Sequence, residues 1–146
     1  MAADAIVAFA RAYRFGSEAS PEEVKRELAL ANPGSLVQVV RAGSLDNELL
    51  AEVLAAQTLR AEEADYMLAK KAEIDFLLRF AGTTQISEAI AKQGAVRGEG
   101  FVAINAGRKE LSVPDGFKEA ELPRRSLTHL ELSRIERAAL LNAQRG

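Results

Sequence analysis

Residues 69–80 constrain the fold of this chain more than any other segment. Their large apolar side chains lie on more than one face of a helix: Ile74, Phe76, Leu77, Leu78 and Phe80. A helix that is apolar all round is covered by other elements, whereas a surface helix carries a single apolar stripe. The pattern therefore predicts a central, buried helix with further layers of structure around it.

Glycine, proline and polar clusters divide the rest of the chain into alternating strands and helices. Strands are predicted at three apolar runs: 5–15, 35–41 and 100–105. Helices are predicted at four further stretches: 21–31, about 45–65, 85–92 and from 128 onward.

Several helix ends carry capping signals. The first predicted helix begins with Ser20 as N-cap, Pro21 at its first position and Glu23 to complete a capping box. Thr128 and Glu131 form a second box before the C-terminal helix. Ser44 or Asp46 is the expected N-cap of the second helix. Gly94 is the expected C-cap of the fourth.

Residues 106–125 interrupt this regular order. The segment contains Gly107, Pro114, Gly116 and Pro123, so it predicts a loop with room for a short strand near residues 117–122. The expected fold class is α/β (α+β), with residues 1–146 forming one domain. In it, a small mixed sheet packs against several helices, including the central buried helix.

Composition limits the class of protein. The chain has 146 residues, no cysteine, one histidine and a net charge of −2, with an acidic first half and a mildly basic remainder. The absence of cysteine fits a reducing compartment, and neither a signal peptide nor a membrane-spanning stretch is predicted. We therefore expect a cytoplasmic protein that does not associate with membranes.

Enzymatic chemistry has few residues to draw on. His129 is the one possible imidazole base, and its place at a predicted helix start is typical of an exposed residue. A carboxylate metal site remains an open alternative because acidic residues cluster at Glu22, Glu23, Glu62, Glu63 and Asp65. Our expectation is a non-enzymatic protein with no catalytic residues, no cofactor and no metal.

A glycine turn between two predicted helices is the one candidate binding element. Gly82-Thr83-Thr84 directly precedes a helix N-terminus, where free backbone N–H groups attract anions. Gln85 offers both a donor and an acceptor to a base edge. The flanking helices supply cations at Lys70, Lys71, Arg79 and Lys92.

The residues around this turn resemble a known family. The sequence Asp75-Phe76-Leu77-Leu78-Arg79-Phe80-Ala81-Gly82-Thr83-Thr84-Gln85-Ile86-Ser87-Glu88-Ala89-Ile90, followed by Gly94, is similar to the signature of the PRPK-binding, TPRKB-like subunit of the KEOPS complex. A second similar segment is Ile135-Glu136-Arg137-Ala138-Ala139-Leu140-Leu141. The chain departs from the family in having Thr84 in place of the usual arginine and Ala81 in place of serine. It also lacks an evident helix after the third strand.

The resemblance implies an accessory, regulatory subunit rather than an enzyme. KEOPS transfers a threonylcarbamoyl group to an adenosine of certain tRNAs. The family binds the small atypical kinase/ATPase of the complex, contacts the threonylcarbamoyltransferase subunit indirectly, and helps to recruit tRNA by its single-stranded CCA end. The implied CCA-end residues are Lys71, Arg79, Gly82, Thr84, Gln85 and Ile86. The implied kinase-binding residues are Leu132, Ile135, Ala139 and Leu141.

Another reading of the C-terminal helix stays open from sequence. An apolar helix face is equally suited to self-association. The alternative is therefore an unrelated small α/β interaction module that forms dimers through this helix.

Overall fold

The computed structural model describes residues 8–145, and the predicted order of elements is confirmed there. The strands are β1 (Phe9–Phe15), β2 (Leu36–Arg41) and β3 (Phe101–Gly107). The helices are α1 (Pro21–Ala31), α2 (Glu48–Ala64), α3 (Ala72–Ala81), α4 (Ile86–Gln93) and α5 (His129–Arg145). Residues 5–7 of the predicted first strand lie outside the described residues.

The three strands form one antiparallel sheet in the order β1-β3-β2. β3 pairs with both neighbours in the opposite direction, with Phe15 and Arg41 each opposite Phe101. The expectation of a mixed sheet is therefore wrong, because both strand pairs are antiparallel. β1 and β2 do run parallel to each other, but β3 returns between them and pairs with both, so no parallel pair forms.

β3 has a core on each of its two faces. Alternate side chains point to opposite faces of a strand. Val102 and Ile104 belong to the larger apolar cluster, which contains residues from α2, α3 and α5. Phe101 and Ala103 belong to a smaller cluster with residues of α1 and with Phe117. Residues 101–106 are buried without interruption, as is typical of a central strand covered on both sides.

α3 is the buried central helix that the sequence predicts. Its residues from Asp75 to Phe80 are all buried, and it packs against α2, α4, α5 and β2. The helix begins at Ala72, three residues later than the pattern suggests, because Asp75 accepts a hydrogen bond from the Leu68 N–H (2.9 Å) and fixes the preceding turn.

Two of the predicted N-caps are confirmed and one is wrong. Ser20 accepts a hydrogen bond from the Glu23 N–H. In the second box, Thr128 accepts from the Glu131 N–H (3.1 Å) and the Glu131 carboxylate accepts from the Thr128 N–H (2.8 Å). α2, however, is capped by Asn47 rather than by Ser44 or Asp46. The buried Asn47 amide also accepts from the Arg125 N–H, which joins the start of α2 to the segment before α5.

Residues 108–122 form a layer without a long helix. The expected strand near residues 117–122 is wrong: Lys118–Ala120 is a 3-10 turn, and only Glu121 makes an isolated bridge, to Tyr13. Phe117 is buried and its ring lies edge-on to the rings of Tyr13 and Phe15. One aromatic side chain therefore covers sheet surface beside α1.

Candidate RNA-end and partner interface

Gly82 ends α3 and is held by α5. It has a left-handed backbone (φ 73°), and its N–H donates to the Leu78 carbonyl. Its carbonyl accepts a hydrogen bond from Arg137 Nε (3.0 Å), and a Cβ at Gly82 would lie 3.0 Å from that nitrogen. Both the conformation and the close contact favour glycine here. Gly82 is buried, so the expectation of an exposed turn is wrong at this residue.

Arg79 does not face solvent beside the turn. It is only 2% exposed and forms an ion pair with the buried Asp75, Nε to Oδ1, at 2.8 Å. Asp75 also accepts from the Thr58 hydroxyl (2.6 Å), and Arg79 donates to the Ala138 carbonyl (3.2 Å). The pair therefore joins α2, α3 and α5. The predicted role of Arg79 as a cation for tRNA is wrong because its guanidinium is buried and is hydrogen-bonded to Asp75, Ala138 and Asn142.

Lys71 lies at the opposite end of the same helix. It is the N-cap residue of α3, whereas Gly82 is the C-cap. Ten helical residues separate these caps, which corresponds to roughly 15 Å at 1.5 Å per residue. Lys71 therefore does not converge with Gly82, Thr84 and Gln85, and the predicted six-residue site is divided between two ends of α3.

The residues that follow Gly82 keep a surface available for a ligand. Thr84 is half-buried, while Gln85 and Ile86 are exposed. Ile86 and Ile90 are four residues apart on α4, and 47% and 53% of them are exposed. Thr83 Oγ1 accepts a hydrogen bond from the Gln85 N–H (3.1 Å), so the Gln85 side chain is not used as a cap.

α5 brings two arginines to this turn that reasoning from sequence missed. Arg134 lies 4.5 Å from the centroid of the Phe80 ring and donates to the carbonyls of Phe80 and Ser44. Burial lowers the pKa of Arg134 from its ordinary value, against the opposing effect of Glu131 and Asp46. Arg134 and Arg137 are three residues apart, which places them on the same side of α5. This spacing is the only feature of the sequence that indicates that the two arginines act at one place.

Arg137 is the more accessible of the two arginines. It is exposed, and its one side-chain hydrogen bond within residues 8–145 runs from Nε to the Gly82 carbonyl. The two terminal nitrogens of its guanidinium therefore remain available to an acceptor such as a phosphate oxygen. We call the exposed residues after the turn, Gln85, Ile86 and Ile90, together with Arg137, which the Gly82 carbonyl fixes, the turn surface.

The predicted kinase-binding residues of α5 fall into three classes of exposure. Leu132 and Ala139 are exposed, and Leu140 beside them is 55% exposed. Ile135 is half-buried and packs against the larger core. Leu141 is fully buried in that core, so its predicted contact with a partner is wrong. We call Leu132, Ala139 and Leu140 the outer face of α5.

The candidate catalytic and metal-binding groups are dispersed. His129 is exposed at the first position of α5. Glu62 and Glu63 pair with Arg108, and Glu22 lies 3.9 Å from Arg97, oxygen to nitrogen. Within the described part of the chain, no group of three or more histidine or acidic residues is arranged to hold a metal ion.

Comparisons with known proteins assign no family: no protein-family model and no curated protein sequence matches this chain. Among residues 8–145, no helix has both the length and the apolar character needed to cross a membrane. The case for a function therefore depends on the turn surface and the outer face of α5 themselves.

Proposed function

We propose that this chain is a non-catalytic, regulatory subunit of a KEOPS-type complex, which acts in the cytoplasm in threonylcarbamoyladenosine modification of tRNA. It binds the small atypical kinase/ATPase and helps to recruit tRNA by its single-stranded CCA end. Its link to the threonylcarbamoyltransferase subunit is indirect, through the kinase. The observation that supports this proposal most is the turn surface.

The turn surface has the groups that a single-stranded RNA end requires. Unstacked bases rest on exposed apolar or aromatic side chains, and their phosphates are met by cations. Ile86 and Ile90 offer the apolar contact, Gln85 offers base-edge hydrogen bonds, and Arg137 offers charge. Arg137 places a guanidinium at the turn, although Thr84 cannot provide one. A chain of net charge −2 binds RNA weakly alone, which suits one contributor among several subunits.

The outer face of α5 supports the kinase-binding part of the proposal. Leu132 and Arg137 are five residues apart, which corresponds to a rotation of about 140° around a helix of 3.6 residues per turn. Leu132 and Ala139 therefore lie on a side of α5 well separated from Arg137, whereas Leu140, three residues after Arg137, lies between the two. A protein partner centred on Leu132 and Ala139 leaves the guanidinium of Arg137 accessible, so both ligands can bind together.

The tRNA part is tested by measuring binding of tRNA with and without its CCA end to the chain assembled with an archaeal-type KEOPS kinase. We expect intact tRNA to bind more tightly, and Arg137→Gln or Ile90→Ser to remove that preference. Arg26→Gln is the matched control because Arg26 is exposed on α1, which contributes nothing to the turn surface. Equal binding of both tRNAs by the unmodified assembly would refute this part.

The kinase part is tested by co-elution of purified chain and kinase. We expect Leu132→Asp combined with Leu140→Asp to abolish co-elution. Leu30→Asp is the control, since Leu30 is 74% exposed on α1 and its replacement adds the same charge to a different face. Co-elution that survives the double change rejects the outer face as the kinase contact.

The same exposed leucines favour one alternative, a self-associating interaction module. Light scattering separates the two functions. A stable dimer that becomes monomeric with Leu132→Asp and Leu140→Asp, and that shows no binding to kinase or tRNA, would establish the alternative instead.

A further inference from the structure

A cleft of about 990 Å³ opens at the end of the molecule opposite the turn surface. Its walls are the connection from α1 to β2, the end of β3 with the segment that follows it, and the start of α3. The cleft is therefore separate from both surfaces described above.

Buried asparagines fix the walls of this cleft. The Asn32 side chain donates to Asn105 Oδ1 and to the Ser112 carbonyl (both 2.9 Å), and it accepts from the Ser112 N–H (2.7 Å). Asn105, which is fully buried, donates to Ser35 Oγ (2.7 Å) and to the Leu36 carbonyl. These bonds hold the segment after β3 against the sheet, so the cleft is formed before any ligand arrives.

Arg108 anchors the same segment to α2. It donates to the Leu59 carbonyl (2.9 Å) and pairs with Glu62 and Glu63. Its one positive charge offsets part of the negative charge of Glu62 and Glu63 at the rim of the cleft. Lys109, the next residue, is carried on a backbone that is fixed on both sides.

Three lysines line the cleft without an ion-pair partner among residues 8–145: Lys70, Lys71 and Lys109. All three are exposed, so their ammonium groups are available to a ligand. Glu73 and Glu110, which also have no ion-pair partner among residues 8–145, line it as well. Between these groups lie the apolar side chains of Pro33, Leu36, Leu59 and Leu111.

We propose that this cleft binds a sugar phosphate or a nucleotide. Lysine ammonium groups bind phosphate as point charges. Carboxylates accept hydrogen bonds from sugar hydroxyls, as the acidic residue of dinucleotide-binding sites does. Apolar walls suit the uncharged part of the ligand, and the volume lies at the upper end of the range for small-molecule sites, roughly 300–1,000 Å³.

Isothermal titration calorimetry of the full chain with AMP, ribose 5-phosphate and adenosine tests the proposal. We expect both phosphorylated compounds to bind, and adenosine to bind at least about tenfold more weakly. Lys70→Gln combined with Lys71→Gln, and separately Lys109→Gln, should weaken AMP binding about tenfold, which corresponds to roughly 1.4 kcal/mol. Lys118→Gln is the matched control, because Lys118 is exposed on the 3-10 turn outside the cleft.

Glu110→Gln distinguishes a sugar phosphate from phosphate alone. We expect it to weaken ribose 5-phosphate several-fold while leaving the response to inorganic phosphate unchanged. The proposal is overturned if neither phosphorylated compound binds at millimolar concentration, or if the lysine variants bind AMP as tightly as the unmodified chain. Either result leaves the proposed KEOPS function unaffected, since that function depends on the other end of α3.

Discussion

The two ends of α3 use their charged residues in opposite ways. At the C-terminal end, Arg79 is buried between Asp75 and α5, and Arg137 donates a hydrogen bond to the Gly82 carbonyl. At the N-terminal end, Lys70 and Lys71 line an open cleft. Both cations, Lys71 and Arg79, are four residues from Asp75, yet only Arg79 pairs with it.

Helix geometry explains this difference. Side chains on a helix tilt toward its N-terminus, so Arg79 reaches back to Asp75, and an acidic residue four positions before a basic one is the favoured order. Lys71 precedes Asp75 and, as the N-cap residue, has an extended backbone outside the helix, so its side chain does not share the helical face of Asp75. Equal spacing along the chain therefore produces a buried structural pair on one side and a free cation on the other.

The largest expected effect comes from breaking the buried Asp75–Arg79 ion pair. Asp75→Asn leaves the guanidinium of Arg79 buried without a counter-charge, so we expect the free energy of unfolding to fall by about 3–5 kcal/mol in urea titrations. Asp46→Asn is the control, since the Asp46–Arg125 pair (2.8 Å) is exposed and is worth roughly 0–1 kcal/mol. Equal losses in the two variants would contradict a structural role for Asp75.

A second test compares glycines at the two ends. Gly82→Ala and Gly34→Ala each place an alanine in a left-handed conformation, which costs roughly 1–2 kcal/mol. Gly34 lines the cleft and has open space around it, whereas Gly82 contacts Arg137. We expect thermal unfolding to show the larger loss for Gly82→Ala. An equal loss would mean that Arg137 moves aside without cost.

A third test concerns the N-terminal end of α5. Later residues of this helix are the partners of Arg79 and Gly82. Burial alone would raise the pKa of Glu131, but hydrogen bonds from Thr128 and Asn47 and the charge of Arg125 lower it overall. We expect Glu131→Gln to cost about 0.5–2 kcal/mol at neutral pH, as the loss of a helix cap does.

The pH dependence of that third test has a definite sign. Because the pKa of Glu131 is lower in the folded protein, its contribution is complete above the ordinary glutamate pKa of about 4.3 and is lost as pH falls through the folded value. Unfolding measured across this range should therefore show the variant and the unmodified chain converging in acid. A constant difference down to the most acidic pH at which the chain folds would contradict this account.

The smallest expected effect on the free energy of unfolding is at the N-terminal end of α3, beside the cleft. Lys70→Gln combined with Lys71→Gln should change the free energy of unfolding by less than about 0.5 kcal/mol, because exposed side chains without partners contribute little to stability. Denaturant titration of this variant beside Asp75→Asn sharpens the contrast between the two ends. A loss above 1 kcal/mol would show that these lysines have structural partners after all.

Local signals predicted the elements well. The Thr128–Glu131 capping box and the Ser20 cap are where their spacing indicates, and Gly82 ends α3 as a turn glycine should. These features depend on residues within one helical turn of each other, so the sequence contains all the information they need. The capping hydrogen bond of Asn47, from the Leu49 N–H, is equally local, but Ser44, Asp46 and Asn47 are all suited to cap a helix. The buried contact of Asn47 with Arg125, which is distant along the chain, distinguishes it from the other two.

The sequence by itself determined the order of strands and helices, the burial of α3 and the presence of a turn at Gly82. Only the tertiary structure decided which charges remain accessible. Arg79 is buried because α5 covers it, and Arg137 reaches the turn from 55 residues away. Periodicity and caps are properties of neighbouring residues, whereas the accessibility of a charge depends on which distant helix packs over it.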